Sequence, residues 1–174
     1  MTTFYTSDQH FNHDNIIGYV NRPFRDIQHM NEELIRRYNE VVRDEDTVMF
    51  LGDIFFKDKA WAEAAMRRLR GHKKLVMGNH DRVSVTQLKR WGFEEVWKKQ
   101  VHDTIGDCAC LLSHYPLEPV VHYVQFVLHG HTHTRNKREG SKIHVGVDAW
   151  DYYPASENSI IELMKEREKE RADG

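Results

Sequence analysis

The sequence predicts an α/β protein whose first half alternates strands and helices and whose second half turns to β-structure. Three observations predict it. Up to about residue 92, short apolar runs alternate with stretches that carry apolar residues at spacings of three and four. From about residue 94, short strand-like segments follow one another with turn signals between them. The residues able to do chemistry stand directly after apolar runs, at the strand ends where open α/β sheets place ligands.

Taken in order, the first strand covers about 2–6 and ends in Asp8-Gln9-His10. A long loop follows through Phe11-Asn12-His13-Asp14-Asn15 and on to Asn21-Arg22-Pro23-Phe24. A helix over about 27–43 places Met30, Leu34, Tyr38 and Val41 or Val42 on one face. The second strand, Val48 to Leu51, ends at Gly52-Asp53. A helix over about 58–70 turns Trp61, Ala65 and Leu69 inward, with Gly71 as its C-terminal cap. The third strand, Leu75-Val76-Met77, leads into Gly78-Asn79-His80-Asp81, around which the other motifs are organised. Ser84-Val85-Thr86-Gln87 has capping-box spacing and opens a short helix that stops at Gly92. Strand segments are expected near 95–104, 108–113, 125–129 and 143–149, with Gly106-Asp107 as a hairpin turn. The segments at 108–113 and 125–129 again end in polar motifs, Ser113-His114 and Gly130-His131-Thr132-His133. A charged helix covers 160–173, and Arg135-Asn136-Lys137-Arg138 reads as a solvated hairpin tip.

A chain of 174 residues with 40% hydrophobic and 30% charged residues suits one globular domain, residues 1–174. The formal net charge of −2 argues against a strong nucleic-acid or membrane partner, so nucleic acid is not favoured, and the sequence sets no oligomeric state. No apolar stretch reaches membrane-spanning length, and Met1-Thr2-Thr3-Phe4 lacks the pattern of a signal peptide. Cys108 and Cys110 would lie about 6.6 Å apart on one strand face, at the far end of disulfide reach. A reduced, cytoplasmic protein is the expectation. The count of 12 histidines is unusual.

The histidines and carboxylates at five strand ends point to a metal site. Asp8 and His10, two apart, can reach one cation if their loop curls around it, and a carboxylate at Asp53 can bridge two. Asn79 offers an amide oxygen, while His114, His131 and His133 offer imidazoles. Mixed nitrogen and oxygen ligation without thiolate suits Mn, Fe, Zn, Co or Ni better than calcium. Two divalent cations against Asp8 and Asp53 leave the pocket positive, and a phosphate ester is the natural anion to complete it.

The series Asp8-x-His10, Gly52-Asp53, Gly78-Asn79-His80-Asp81, His114 and Gly130-His131-x-His133 resembles the calcineurin-like metallophosphoesterase superfamily, in the correct order over residues 8–133. The resemblance implies a four-layer α/β/β/α sandwich with two divalent metal ions. It implies one metal held by Asp8, His10, Asp53 and His133, and a second by Asp53, Asn79, His114 and His131. It also implies hydrolysis by a water bridging the metals, with His80 facing the leaving group and Asp81 orienting or charging it. The Asp8 to Phe24 stretch is similar to a small bacterial and phage branch of phosphoesterases. Two features of relatives are missing after Gly52-Asp53: the second Asp, and the Arg that protein phosphatases add, where Ile54-Phe55-Phe56-Lys57 stands instead. Without that fork a small nucleotide-like phosphodiester is the expected substrate, with Phe55 and Phe56 at the rim. A phosphomonoester is the alternative, and a nuclease or a metal-free scaffold stands further off. His13, Arg22 and Arg82 are candidates for substrate contact. The stretch Val147 to Pro154 reads as a strand end with aromatic packing or as pocket lining, and His129 as a packing neighbour of the metals. His29, His72, His102, His122 and His144 read as surface or ordinary packing residues.

Overall fold

Short apolar strands in this chain bury alternate residues on opposite faces, and that alternation builds two cores. The computed structural model describes residues 1–56, 58–119 and 123–173. Lys57 and His122 lie outside the described residues. In the first sheet the strands β1 (Thr3–Thr6), β2 (Thr47–Phe50), β3 (His72–Val76) and β4 (Phe93–Trp97) run parallel in that order. A two-residue strand, Ala155–Ser156, adds antiparallel to the outer edge of β1. Phe4, Val48, Phe50 and Leu75 point to one face, against Met30, Leu34 and Tyr38 of helix α2 (Ile27–Val41), Ala65 and Met66 of α3 (Lys59–Arg68) and Leu88 of α4 (Val85–Arg90). The next residues along, Tyr5, Met49, Leu51 and Val76, point the other way.

There they meet the second sheet. Its strands are β5 (Gln100–Ile105), β6 (Cys108–Ser113), β7 (Phe126–His129), β8 (Arg138–Glu139) and β9 (Lys142–His144), in the order β5-β6-β7-β9-β8. Pairing is parallel for β6-β7 and β7-β9 and antiparallel at both edges. Cys110, Leu112, Phe126, Leu128 and Ile143 supply this sheet's side of the shared core, with Ile160 and Met164 of α5 (Glu157–Asp173). A bridge between Ser7 and Gly146 joins the sheets beyond the ends of β1 and β9. The result is one α/β domain with two mixed sheets, and no helix among the described residues is long and apolar enough to cross a membrane.

Local signals hold where they are local. Ser84 Oγ accepts from Gln87 N at the start of α4, and the β5-β6 hairpin turns at Gly106-Asp107 with Ile105 opposite Cys108. Cys108 and Cys110 are free thiols. Other expectations are corrected. The segment near 95–104 is two strands: the chain bends at Lys98-Lys99, leaving β4 in the first sheet and β5 in the second. Pairing partners far away in sequence decide that, so the local pattern carries no trace of it. The segment near 143–149 ends as a strand at His144 and becomes a 3₁₀ turn, Val147–Ala149. The first loop contains a short helix, α1 (Asn15–Tyr19). Arg135 to Arg138 is not a hairpin tip. Arg138 already belongs to β8 and pairs with Glu170, Lys137 lies 4.2 Å from the Trp150 ring centroid, and the hairpin turns later, at Gly140-Ser141.

Candidate metal centre

The C-terminal ends of β1, β2, β3, β6 and β7 bring the six other residues expected as ligands together around Asp53. Asp53 Oδ2 lies 3.7 Å from His10 Nε2 on one side and 3.4 Å from His114 Nε2 on the other. Beyond His114, its Nε2 lies 3.1 Å from Asn79 Oδ1 and 3.2 Å from His131 Nδ1. Beyond His10, the ring of His133 stands 5.0 Å away, centroid to centroid. Two overlapping groups have ligand atoms within 4.8 Å of one another: Asp8, His10 and His133, and Asp8, Asp53 and His114.

The backbone makes this approach possible. Strand ends must curl inward, and Asp8, His10, Asp53, His131 and His133 all adopt positive φ, between 50° and 71°. For residues other than glycine this conformation costs energy, and it concentrates at functional sites. Glycine covers the closest contacts. A Cβ on Gly78 would fall 2.2 Å from Asp53 Oδ1, and one on Gly130 would fall 1.9 Å from Ser7 Oγ. The glycine of each motif is therefore required by the neighbouring strand end.

Three of the four ligand-type histidines are steered by their other ring nitrogen. His114 Nδ1 donates to Leu51 O at 2.8 Å, His133 Nδ1 to Asp148 Oδ2 at 2.9 Å, and His10 Nδ1 faces His13 Nδ1 at 3.3 Å. This turns the three Nε2 atoms inward. Asp8 Oδ2 accepts from Ser7 Oγ and His131 N, both at 2.9 Å. Among the described residues, Asp8 Oδ1 and His10 Nε2 are buried without a hydrogen-bond partner. Burying an unsatisfied polar atom costs about 1–3 kcal/mol, and an oxygen and an unprotonated ring nitrogen side by side suit a divalent cation of the Mn to Zn series. The residues therefore fit a metal.

Electrostatics agree. Burial pushes His10 down to about 2, so its ring is neutral and free to ligate. Burial raises Asp8 to about 6, even though His133, His114 and Ser7 pull it back. At Asp53 and His114 burial opposes both charges, but their mutual approach outweighs it, holding Asp53 near about 2 and lifting His114 to about 9. A cation there would displace the His114 proton.

The remaining candidates separate. The half-buried His80 ring lines the cavity over these donors, with Nε2 3.9 Å from Asp53 Oδ2. Asp81 does not hold that ring. It is buried, and its carboxylate accepts from the backbone N–H groups of Asp53, Ile54 and Gly78 at 2.8, 3.1 and 2.8 Å, which locks the two motifs together. His13 stacks on Phe56 at 3.9 Å behind His10 and lines the same cavity. Arg22 lies behind the site, its side chain 0% exposed. It grips Asp148 with two bonds of 2.9 Å and donates to the carbonyls of Asp8 and Gln9 at 2.7 and 2.9 Å, so its fork is occupied by protein. Arg82 is exposed at the rim, its Nε 3.3 Å from Asn79 O. His129 is buried with Nδ1 donating to Gly130 O, and His144, a buried packing residue, lies against it at 5.3 Å.

Sequence reasoning missed two residues. Asp148 lay inside a stretch read as packing or lining, and only its 2.9 Å contact with His133 reveals its task. Tyr115, whose hydroxyl lies 3.4 Å from Asn79 Oδ1, had one signal, its place directly after His114 at a strand end.

No family model matches the chain. Over 168 residues it is 34% identical to MJ1445, an uncharacterized protein of Methanocaldococcus jannaschii, covering 91% of this chain and 89% of that one. The chain belongs to the MJ1445 family. The gene 66 protein of Mycobacterium phage D29 is 31% identical over 198 residues, covering 95% of this chain and 97% of the phage protein. Among solved structures, a protein of unknown function from Aquifex aeolicus, AQ665, superimposes with a TM-score of 0.74 at 29% identity, covering 93% of this chain and 98% of that one.

Proposed function

We propose that this member of the MJ1445 family is a metallophosphoesterase of the four-layer α/β/β/α type, a metal-dependent phosphoric ester hydrolase working in the cytoplasm on a small nucleotide-like phosphodiester. The observation that carries the reading is Asp53 Oδ2 standing between His10 Nε2 and His114 Nε2, 3.7 and 3.4 Å away, beside the unpartnered Asp8 Oδ1. One metal falls to Asp8, His10, Asp53 and His133, and the second to Asp53, Asn79, His114 and His131, with Mn, Ni, Co, Fe or Zn as suitable ions. Two such cations would supply Lewis-acid activation of water and neutralise the charge of a phosphate ester. His80 gives a proton at its ring nitrogen to the departing oxygen. Asp81 fixes the backbone on which Asp53 and Asn79 ride, His13 orients His10, and Asp148 orients His133.

The diester preference rests on charge. A phosphomonoester is close to a dianion at neutral pH, and enzymes grip it with bidentate arginines. The Arg22 fork is already engaged by Asp148 and two carbonyls, which leaves Arg82, exposed beside Asn79 O, as the candidate clamp. The expected ratio of kcat/KM on bis-p-nitrophenyl phosphate to that on p-nitrophenyl phosphate, with the same metal, is above one. A ratio well below one would replace the diesterase by a phosphomonoesterase with Arg82 as its clamp.

Asp148 offers a second check. Replacing it by Asn keeps the shape but weakens the anchor of His133 Nδ1. Asp148→Asn should lower the affinity of one of two metals about 10- to 100-fold, the usual cost of losing a partner behind a ligand. Titration calorimetry reads both steps, and two undisturbed affinities would remove Asp148 from the metal's support.

A further inference from the structure

Two cavities of small-molecule size meet at His80. The first, about 410 Å³, lies over the metal donors and includes His10, Asp53, Asn79 and His133 in its lining. The second, about 420 Å³, is lined by Phe55, Phe56, Lys59, His80, Arg82 and Val83. Phe56 and His80 belong to both, so the cavities adjoin through these two rings. A residue that hands a proton to a departing oxygen must touch the arm that departs. With the reacting phosphate over the metal donors, that arm runs past His80 into the second cavity.

The second cavity has a defined chemistry. Phe55 is buried and set edge-on against Trp91, with centroids 5.0 Å apart, and Phe56 is stacked on His13 at 3.9 Å. With Val83 they form the apolar side of this cavity, against which a nucleobase can pack regardless of its identity. Opposite in character are two cations. Lys59, exposed in the first turn of α3, makes no hydrogen bond or ion pair to the described residues. Arg82 uses only Nε, towards Asn79 O, so its terminal nitrogens are uncommitted among the described residues. No carboxylate lines this cavity among the described residues. A guanidinium and an ammonium with nothing to neutralise them, beside an aromatic wall, match a phosphate carried on a nucleoside.

We infer that the second cavity binds the leaving arm of the substrate and that this arm is a nucleotide, its base against Phe55 and Phe56 and its own phosphate at Lys59 and Arg82. The substrate is then a short phosphodiester such as a dinucleotide with a terminal phosphate. This rests on the phosphoesterase reading above and names the substrate class of that site.

The test compares the metal-loaded full chain on bis-p-nitrophenyl phosphate, on ApA, and on ApA carrying a terminal phosphate at its 5′ or 3′ end. The terminal phosphate at one end is expected to raise kcat/KM over ApA by roughly 10- to 100-fold, the effect of one or two charge-assisted hydrogen bonds. Lys59→Glu and Arg82→Glu should each bring that ratio towards one. Hydrolysis of bis-p-nitrophenyl phosphate and ApA with no gain from the terminal phosphate would overturn the nucleotide arm and leave the phosphoesterase standing. If no ester is hydrolysed with any metal, the phosphoesterase reading falls, and AMP titrated into chelator-treated protein decides the cavity. Binding that both charge reversals abolish supports a nucleotide site; absence of binding, or binding that ignores both reversals, overturns it.

Discussion

Asp53→Asn should reduce phosphoesterase kcat/KM by on the order of 10³-fold, more than any other single change among the metal-type residues. Losing one well-placed electrostatic contact costs about 10²–10³-fold, and Asp53 stands in two places at once. Its Oδ2 faces both His10 and His114, while Oδ1 accepts from His80 N at 2.8 Å. An amide keeps the volume, so the buried site still packs, but it removes the charge that two bound cations would share. The same logic makes activity strictly metal-dependent: a chelator should abolish it and Mn, Ni or Co should restore it. The measurement is turnover on bis-p-nitrophenyl phosphate together with metal content by mass spectrometry. Full turnover by metal-stripped wild-type protein would sink the assignment.

His80→Ala should behave in the opposite way, retaining both metals while kcat falls by about 10²–10⁴-fold, the range for positioned acid–base help. Among the described residues His80 stands outside both sets of close-lying ligand atoms; its ring lines the two cavities and its backbone N–H, which alanine keeps, holds Asp53. The loss should be smaller for a nitrophenolate leaving group, which needs a proton far less than an alkoxide does. Equal losses across good and poor leaving groups would contradict the acid role, and loss of metal would show that the ring itself supports the centre.

Asp81 shows how far residue identity carries and where it stops. Its place beside His80 in the chain suggests a carboxylate that orients the ring. In the fold its oxygens reach the amides of Asp53, Ile54 and Gly78 instead, and burial raises it to about 6. Arg22 makes the same point. A polar arginine in a long loop reads as a substrate clamp, yet its partner Asp148 stands 126 residues away.

The order of residues along the chain settles what is local. Strand and helix class follow from apolar spacing, because each element's buried face is written in its own periodicity. The residues that meet around Asp53 were legible as a candidate set because chemistry-bearing residues sit directly after apolar runs, at Asp8, Asp53, Asn79, His114 and His131. The tertiary structure alone decided how those strand ends meet. It split the segment at Lys98-Lys99 between two sheets, put five of the expected ligands into positive φ, and set Arg22 and Asp148 behind His133. None of these can be read from spacing, since each depends on contacts between residues far apart in the chain. The left-handed backbone at Asp8, His10, Asp53, His131 and His133 is unfavourable locally, and it is stable only where two sheets and the carboxylates of Asp81 and Asp148 hold it.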